Sequence, residues 1–150
     1  MKLVIFSVEE ANQLLDEIRP RMRRLVVAKR RFDELQARVD LLKVITEGAA
    51  EGNSDLRELT EARKRQRAYT EMISEGVQAV HRRGCLIKDL DRWLVDFYAL
   101  SGDQLVFLCW QLGEAEVSHW HTLEGGFTSR RPLDPSDHRE RPDRSDFGHD

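Results

Sequence analysis

Apolar residues recur every three or four positions along the first third of the chain, which is the spacing of one face of an α-helix. The positions in this stripe are Val8, Ala11, Leu15, Ile18, Met22, Leu25, Phe32, Leu35, Val39 and Leu42. Ser7 and Glu10 have the spacing of a capping box, in which both side chains bond free backbone N–H groups. The pattern predicts one helix from Ser7 to about Thr46, kinked near Pro20 because proline lacks a backbone donor.

A second helix is predicted beyond a turn at residues 47–54, with Ser54 or Asp55 as its N-cap. Its apolar stripe is thinner and consists of Leu56, Leu59, Ala62, Tyr69, Ile73, Val77 and Val80, interrupted at Gln66 and Gly76. Two arginines and Gly84 mark its end, since cations suit the negative end of the helix dipole and glycine suits a left-handed cap.

After Gly84 the period shortens to two, which indicates β-strands. Strands are predicted at residues 2–6, 85–88, 93–98, 104–110 and 117–123, with a hairpin turn at 101–103. Residues 105–110 are apolar throughout, which is typical of a central strand that is covered on both faces.

These elements predict an α+β fold, in which a long antiparallel two-helix hairpin with coiled-coil-like packing accompanies a small, mostly antiparallel β-sheet. Residues 1–133 are expected to form a single domain, with the helical hairpin at 7–83 and a β module at 85–133. Residues 134–150 are predicted to be a disordered tail of mixed charge. Because the two helices offer more apolar surface than one hairpin covers, a homodimer formed through the helices is predicted.

Charge divides the chain into two unlike parts. Residues 1–84 hold 17 basic and 14 acidic side chains, whereas residues 85–150 hold 7 and 13, so the helical part is mildly basic and the rest acidic. No apolar run approaches the roughly 20 residues of a membrane span, and no signal-peptide core is predicted. Since Cys85 and Cys109 are isolated and form no disulfide framework, we expect a reducing cytoplasm.

One charged residue, Asp96, interrupts the apolar run of residues 94–97. If the chain turns at Gly102-Asp103, this carboxylate lies near Leu108, Cys109 and Trp110 on the return strand. An unpaired buried carboxylate costs several kcal/mol, so Asp96 should have a cationic or hydrogen-bonding partner. The expected partners, all from the segment that closes the sheet, are His121, Arg130 and Arg131.

This pairing predicts a site in the β module for a protein partner or for a small molecule, in particular an anionic one. The residues predicted to form it are Asp96, Trp110, Glu114, Trp120, His121, Arg130 and Arg131. No cofactor is predicted.

Here the chain resembles an uncharacterised bacterial family, a domain of unknown function with a long helical hairpin and a small β region. The likeness covers about residues 3–133 and lies in residues 6–12, Gly84, Lys88-Asp89, residues 94–97, Gly102, Leu108-Cys109-Trp110, Gly113-Glu114, Trp120-His121, Gly126-Phe127, Arg130 and Pro132. The chain departs from that pattern at Leu90, Trp93 and Ser129, where proline, glycine and glycine are usual, and His119 lies outside it. The resemblance implies fold and kinship, but no activity.

An enzyme is the first alternative to a binding module. His119 and His121 could present two imidazoles to a metal ion, or His121 could form an acid–base pair with Asp96. The third metal ligand would come from Asp96, Glu114 or Glu116. No nucleophile motif supports catalysis, and Cys109 is expected to remain a protonated thiol in its buried strand.

Nucleic-acid binding is the second alternative, because cations cluster on the predicted helices. The residues that would carry it are Arg23, Arg24, Arg30, Arg31, Arg63 and Lys64. The sequence gives this interpretation little support, since no aromatic residues are interleaved with these cations and no known motif contains them.

Overall fold

The computed structural model describes residues 3–134, which form two compact units. One unit joins the residues up to Met22 with those from Ala79 onward, and the other, called the hairpin unit here, comprises residues 23–78. The tail predicted at 134–150 lies outside the described residues, apart from Asp134. Within the described part of the chain, no helix is long and apolar enough to cross a membrane.

The first helix, α1, spans Val8–Ile45, close to its predicted limits. Its capping box forms, because the Glu10 N–H donates to Ser7 Oγ at 3.0 Å and the Ser7 N–H donates to the Glu10 carboxylate at 3.1 Å. The helix continues through Pro20 without a break.

The segment before α1 has no regular secondary structure, so the strand predicted at residues 2–6 is wrong over its described part. The Phe6 N–H still donates to the Tyr98 carbonyl at 2.7 Å. The Phe6 ring also packs edge-on against the Phe97 ring, with the two ring centroids 5.2 Å apart. A short apolar run becomes a strand only when a neighbour offers a full ladder of partners. Here the segment anchors to the sheet at Phe6.

The second helix, α2, spans Ser54–His81. Its N-cap is Asn53, whose Oδ1 accepts a hydrogen bond from the Asp55 N–H at 2.8 Å. The predicted caps, Ser54 and Asp55, lie one and two residues further along the chain. Gly84 ends the helical region with a φ of +95°, and a Cβ there would lie 2.7 Å from Val4. Both its backbone conformation and its close packing therefore require glycine.

In the hairpin unit the two helices pack antiparallel. Gln66 donates to Gln36 at 2.6 Å, and Arg38 forms two hydrogen bonds with Glu58 at 2.7 and 2.9 Å. The core between them consists of Val39, Leu42, Leu59 and Ala62, with Leu35 packed against it. Much of the stripe that predicted a homodimer is therefore covered within a single chain.

The sheet is an antiparallel meander in which each strand pairs with the next in sequence. Its strands are β1 at Leu86–Asp89, β2 at Leu94–Ser101, β3 at Gln104–Gln111, β4 at His119–Thr122 and β5 at Arg131–Pro132, with a 3₁₀ turn at Phe127–Ser129 before β5. Gly102 turns β2 into β3 with a φ of +60°. The fourth strand is shorter than predicted, and β5 was not predicted.

One face of the sheet forms the core of its unit with the first turns of α1. The fully buried residues on this face are Val95, Phe97, Ala99, Val106, Leu108 and Trp110. Arg19 of α1 donates to the Ala115 carbonyl at 2.8 Å, and Asn12 accepts from the Val117 N–H at 2.7 Å. The opposite face carries Asp96 and His121, two of the residues that were predicted to form a site.

Candidate functional site

Three ionisable side chains meet on the second face of the sheet. Asp96 of β2 lies directly opposite Cys109 of β3. His121 of β4 lies opposite Phe107, which is two residues before Cys109 on β3 and on the same face of the sheet. The carboxylate, thiol and imidazole atoms lie within 4.8 Å of one another, and all three residues are buried. These residues, called the Asp96 cluster here, bring together the predicted acid and its predicted imidazole partner.

The hydrogen bonds of His121 determine where protons sit. Its Nδ1 lies 2.7 Å from the Thr122 carbonyl, which can only accept, so Nδ1 carries a hydrogen. Its Nε2 lies 3.0 Å from Asp96 Oδ2. Because two unprotonated atoms would repel at that distance, the pair holds one proton between Nε2 and Oδ2. It is therefore neutral overall, either as carboxylic acid and imidazole or as carboxylate and imidazolium.

Burial shifts the acidity of two members of the cluster. Burial raises the pKa of Asp96 above its usual range, and the neighbouring His121 offsets only part of that rise. Burial, reinforced by the Asp96 charge, raises the pKa of the Cys109 thiol to about 12. Both effects favour the protonated forms, because an ion is poorly solvated among apolar side chains.

Two buried polar atoms close to Cys109 lack hydrogen-bond partners among the described residues: Asp96 Oδ1 and Arg130 Nε. The Asp96 side chain is only 3% exposed and the Arg130 side chain 9% exposed, so solvent satisfies neither atom readily. Buried polar groups are nearly always bonded, because each unmade bond costs about 1–3 kcal/mol.

An ion pair between Glu114 and Arg130 holds the segment between β4 and β5 against the sheet. The Glu114 carboxylate accepts hydrogen bonds from the Gln111 N–H and from Arg130, both at 2.6 Å, and Arg130 also donates to the Cys109 carbonyl at 3.3 Å. Arg130 further lies over the ring of Phe127, 5.3 Å from its centroid. Because the guanidinium is already paired with Glu114, its charge is largely neutralised.

The two tryptophans predicted for the site lie on the opposite face from the Asp96 cluster, since they alternate with Cys109 and His121 along their strands. Trp110 is buried in the core and its Nε1 donates to the Glu114 carbonyl at 2.9 Å. Trp120 has the guanidinium of Arg131 over its ring at 5.6 Å. The sheet thus separates these three predicted site residues from Asp96.

The predicted metal donors are arranged differently from the expectation. His119 shares a face with His121, but its Nδ1 lies 2.9 Å from Ser118 Oγ and 3.4 Å from the Glu114 carboxylate. The donor brought next to Asp96 and His121 is Cys109, to which the sequence pattern assigned no role. The strand register, with Asp96 opposite Cys109, was the available signal.

The predicted nucleic-acid residues all lie in the hairpin unit, away from the Asp96 cluster in sequence. All six are exposed: Arg23, Arg24, Arg30, Arg31, Arg63 and Lys64. Exposure is compatible with nucleic-acid binding but is equally typical of solvated helix surfaces.

The fold and this network define an α+β protein with a helical hairpin and a five-stranded meander. The family described as Uncharacterized conserved protein (DUF2203) matches residues 4–133, so the chain belongs to that family. The resemblance noted in the sequence is thereby confirmed. Neither the curated proteins nor the solved structures include a match to the chain.

Proposed function

We propose that the protein is a binding module whose β module takes a small polar ligand, or a polar group of a partner, at the Asp96 cluster. The observation that carries this proposal is the buried Oδ1 of Asp96, an atom with no hydrogen-bond partner among the described residues. A network with a purely structural role would satisfy this acceptor, because leaving it unbonded lowers stability. A ligand that donates to it would regain that free energy.

Arg130, whose guanidinium donates to the Cys109 carbonyl at 3.3 Å, suggests what such a ligand would offer. Its Nε is a buried donor without a partner among the described residues, just as Asp96 Oδ1 is a buried acceptor. A ligand with both a donor and an acceptor would complement the two atoms. A free anion is less well suited than the sequence indicated, because Arg130 is already paired with Glu114 at 2.6 Å.

Thermal unfolding with defined probes tests the proposal. Acetate, acetamide, inorganic phosphate and the divalent ions Mg²⁺, Mn²⁺ and Zn²⁺ would be added singly to the full chain. A ligand at 100 times its Kd stabilises the folded state by about 2.7 kcal/mol, which raises Tm by several degrees. At least one probe should do so for the wild type and for Asp103→Asn, an exposed control in the hairpin turn, but not for Asp96→Asn. If every probe leaves the wild-type Tm unchanged, the proposal is wrong.

Self-association is a second candidate function, and exposed apolar residues near the end of α1 favour it. Leu41, Val44 and Ile45 are adjacent on the helix surface and 51%, 70% and 51% exposed. We propose that a second copy of the chain covers this patch. Asp40, Lys43 and Glu47 flank it with both signs of charge, so an antiparallel copy related by a twofold axis would place opposite charges together.

The two alternative functions have weaker support. An acid–base role for His121 and Asp96 would need a substrate that exchanges a proton with them, and no nucleophile motif or contact of the described residues identifies such a substrate. Nucleic-acid binding is also secondary, because the cations of the hairpin unit form no recognised motif, although Arg31 and Arg65 line a pocket together with Tyr69. We place the protein in a reducing cytoplasm because Cys85 and Cys109 are both free thiols.

A further inference from the structure

We propose that Asp96, Cys109 and His121 bind one zinc ion. This inference rests on the proposed function, since it names the ligand of the same site. One oxygen, one sulfur and one nitrogen converge there from three neighbouring strands, all within 4.8 Å of one another. Such a mixed set is typical of zinc, whereas Mg²⁺ and Ca²⁺ prefer oxygen ligands alone.

The spacing of the donor atoms is close to what zinc requires. Zinc bonds of about 2.0–2.3 Å at tetrahedral angles place two ligand atoms about 3.3–3.6 Å apart. Asp96 Oδ2 and His121 Nε2 are 3.0 Å apart, and Cys109 Sγ lies within 4.8 Å of both donor groups. Small side-chain rotations would therefore suffice to bring the three atoms onto one ion.

Two independent features orient the donors toward an ion. Asp96 Oδ1 is buried without a hydrogen-bond partner among the described residues, so a carboxylate lone pair is available. The Nδ1–H of His121 is held by the Thr122 carbonyl at 2.7 Å, which directs Nε2 toward Asp96. Such a carbonyl contact is the usual support of a zinc-bound histidine, because it fixes both the tautomer and the ring orientation.

Charge balance also favours a dication. Zinc bound by one carboxylate, one thiolate and one neutral imidazole has no net charge, and a buried site requires such neutrality. Binding would release two protons to solvent, the thiol proton of Cys109 and the proton shared by Asp96 and His121, because zinc takes the place of both. Three protein ligands also leave one position of a tetrahedral ion for water or another ligand, as in catalytic zinc sites.

The direct test is a zinc titration of the full chain after its metal has been removed with a chelator and the chelator has been washed out. Competition with a chromophoric zinc indicator should show one Zn²⁺ per chain. Cys109→Ala and His121→Ala should each weaken binding at least about 100-fold, because each removes a ligand. Cys85→Ala is the matched control, since Cys85 is also a buried free thiol but lies outside the cluster, and it should bind as the wild type does.

A cobalt titration keeps the inference testable if a variant folds poorly. Co²⁺ bound to wild type and to Cys85→Ala should give the near-ultraviolet charge-transfer absorption of a thiolate ligand, and Cys109→Ser should lose it. A wild type that binds well under one ion per chain, or a Cys85 variant that loses binding as Cys109→Ala does, would overturn the zinc assignment. If another probe still raises the wild-type Tm but not that of Asp96→Asn, only the zinc assignment fails. If no probe does, the binding proposal fails as well.

Discussion

Trp93 is the only non-glycine residue in the described part of the chain with a positive φ, 56°. The left-handed region costs a side-chain-bearing residue about 1–2 kcal/mol, whereas glycine enters it freely. The strain thus lies in the turn between β1 and β2, two residues after Asp91, where the Trp93 carbonyl accepts from the Leu112 N–H at 3.1 Å.

Replacing Trp93 by glycine and by alanine separates this strain from the packing of the indole ring. Both variants lose the ring, but only glycine relieves the backbone. We expect Trp93→Gly to be more stable than Trp93→Ala by about 1 kcal/mol in urea unfolding, the reverse of the usual order of these residues. If the alanine variant is the more stable of the two, the turn is not strained in solution.

Cys85 gives a prediction for alkaline pH. Burial raises the pKa of its thiol to about 12, and Sγ donates to the Val80 carbonyl at 3.5 Å. The folded protein therefore keeps this proton while the unfolded chain releases it from about pH 9 upward. The stabilisation contributed by the thiol is intact below pH 9 and is lost as the pH rises toward 12.

The test compares wild type with Cys85→Ala, which lacks the ionising group. The difference in their unfolding free energies should shrink by about 1 kcal/mol between pH 8 and pH 10. Other groups that titrate in this range are common to both proteins, so they cancel in the difference. A difference that stays constant with pH would show that Cys85 ionises equally in the folded and unfolded states.

At the residue scale, sequence reasoning found the pairing of Asp96 with His121, because a carboxylate in an apolar strand needs a partner. It placed Trp110, Trp120 and Arg131 at the same site, although strand alternation puts them across the sheet. It also overlooked Cys109 as a donor, since a cysteine within an apolar strand is indistinguishable in sequence from a small core residue. Only the register of β2 and β3 shows which residue faces Asp96.

At the scale of elements, the helices were predictable and the short strands less so. Long helices repeat their apolar signal many times, and α1 and α2 begin and end within a few residues of their predicted limits. The two-residue β5 carries no periodic signal, and its strand pairing arises because the closing segment meets β4. A feature created by tertiary contact has no local pattern to reveal it.

Gly76 illustrates how a residue that appears to weaken a helix can serve packing. It interrupts the apolar stripe of α2, and a Cβ there would lie 2.6 Å from Leu25 Cδ2 on α1. Glycine costs a helix about 1 kcal/mol relative to alanine. The close approach of the two helices at this point explains why that cost is tolerated.

This contact predicts that Gly76→Ala changes the stability in opposite directions, depending on whether residue 25 is leucine or alanine. Gly76→Ala alone should destabilise the protein, because Leu25 is 3% exposed and its displaced side chain has little free space. In a Leu25→Ala background the clash is absent, so the same substitution should stabilise by about 1 kcal/mol through helix propensity. Chemical unfolding of the four proteins in this cycle measures both effects. Equal effects in the two backgrounds would rule out the steric explanation.

At the scale of the whole molecule, the homodimer stays a prediction, and the buried part of the helical stripe does not identify its interface. Leu25, Val39 and Leu42, which belong to the stripe from which the homodimer was predicted, are 3%, 2% and 0% exposed in one chain. Substituting them would unfold the hairpin unit and reveal little about association. The exposed apolar patch of Leu41, Val44 and Ile45 is a sharper place to test a homodimer, because its side chains contribute little to the folding of one chain.

Val44→Asp is the most informative substitution in that patch, since Val44 is 70% exposed and its loss leaves the single chain intact. If two copies meet there, burying a carboxylate in their interface opposes association, and the dimer Kd should rise at least about 100-fold. Val27→Asp is the matched control, because Val27 is also exposed on α1 but lies outside the patch. Sedimentation velocity through the micromolar range should show dimers for wild type and Val27→Asp and monomers for Val44→Asp, with all three unfolding at similar temperatures. A wild type that remains monomeric, or a Val44 variant that dimerises as tightly as the wild type, would exclude this patch as the interface.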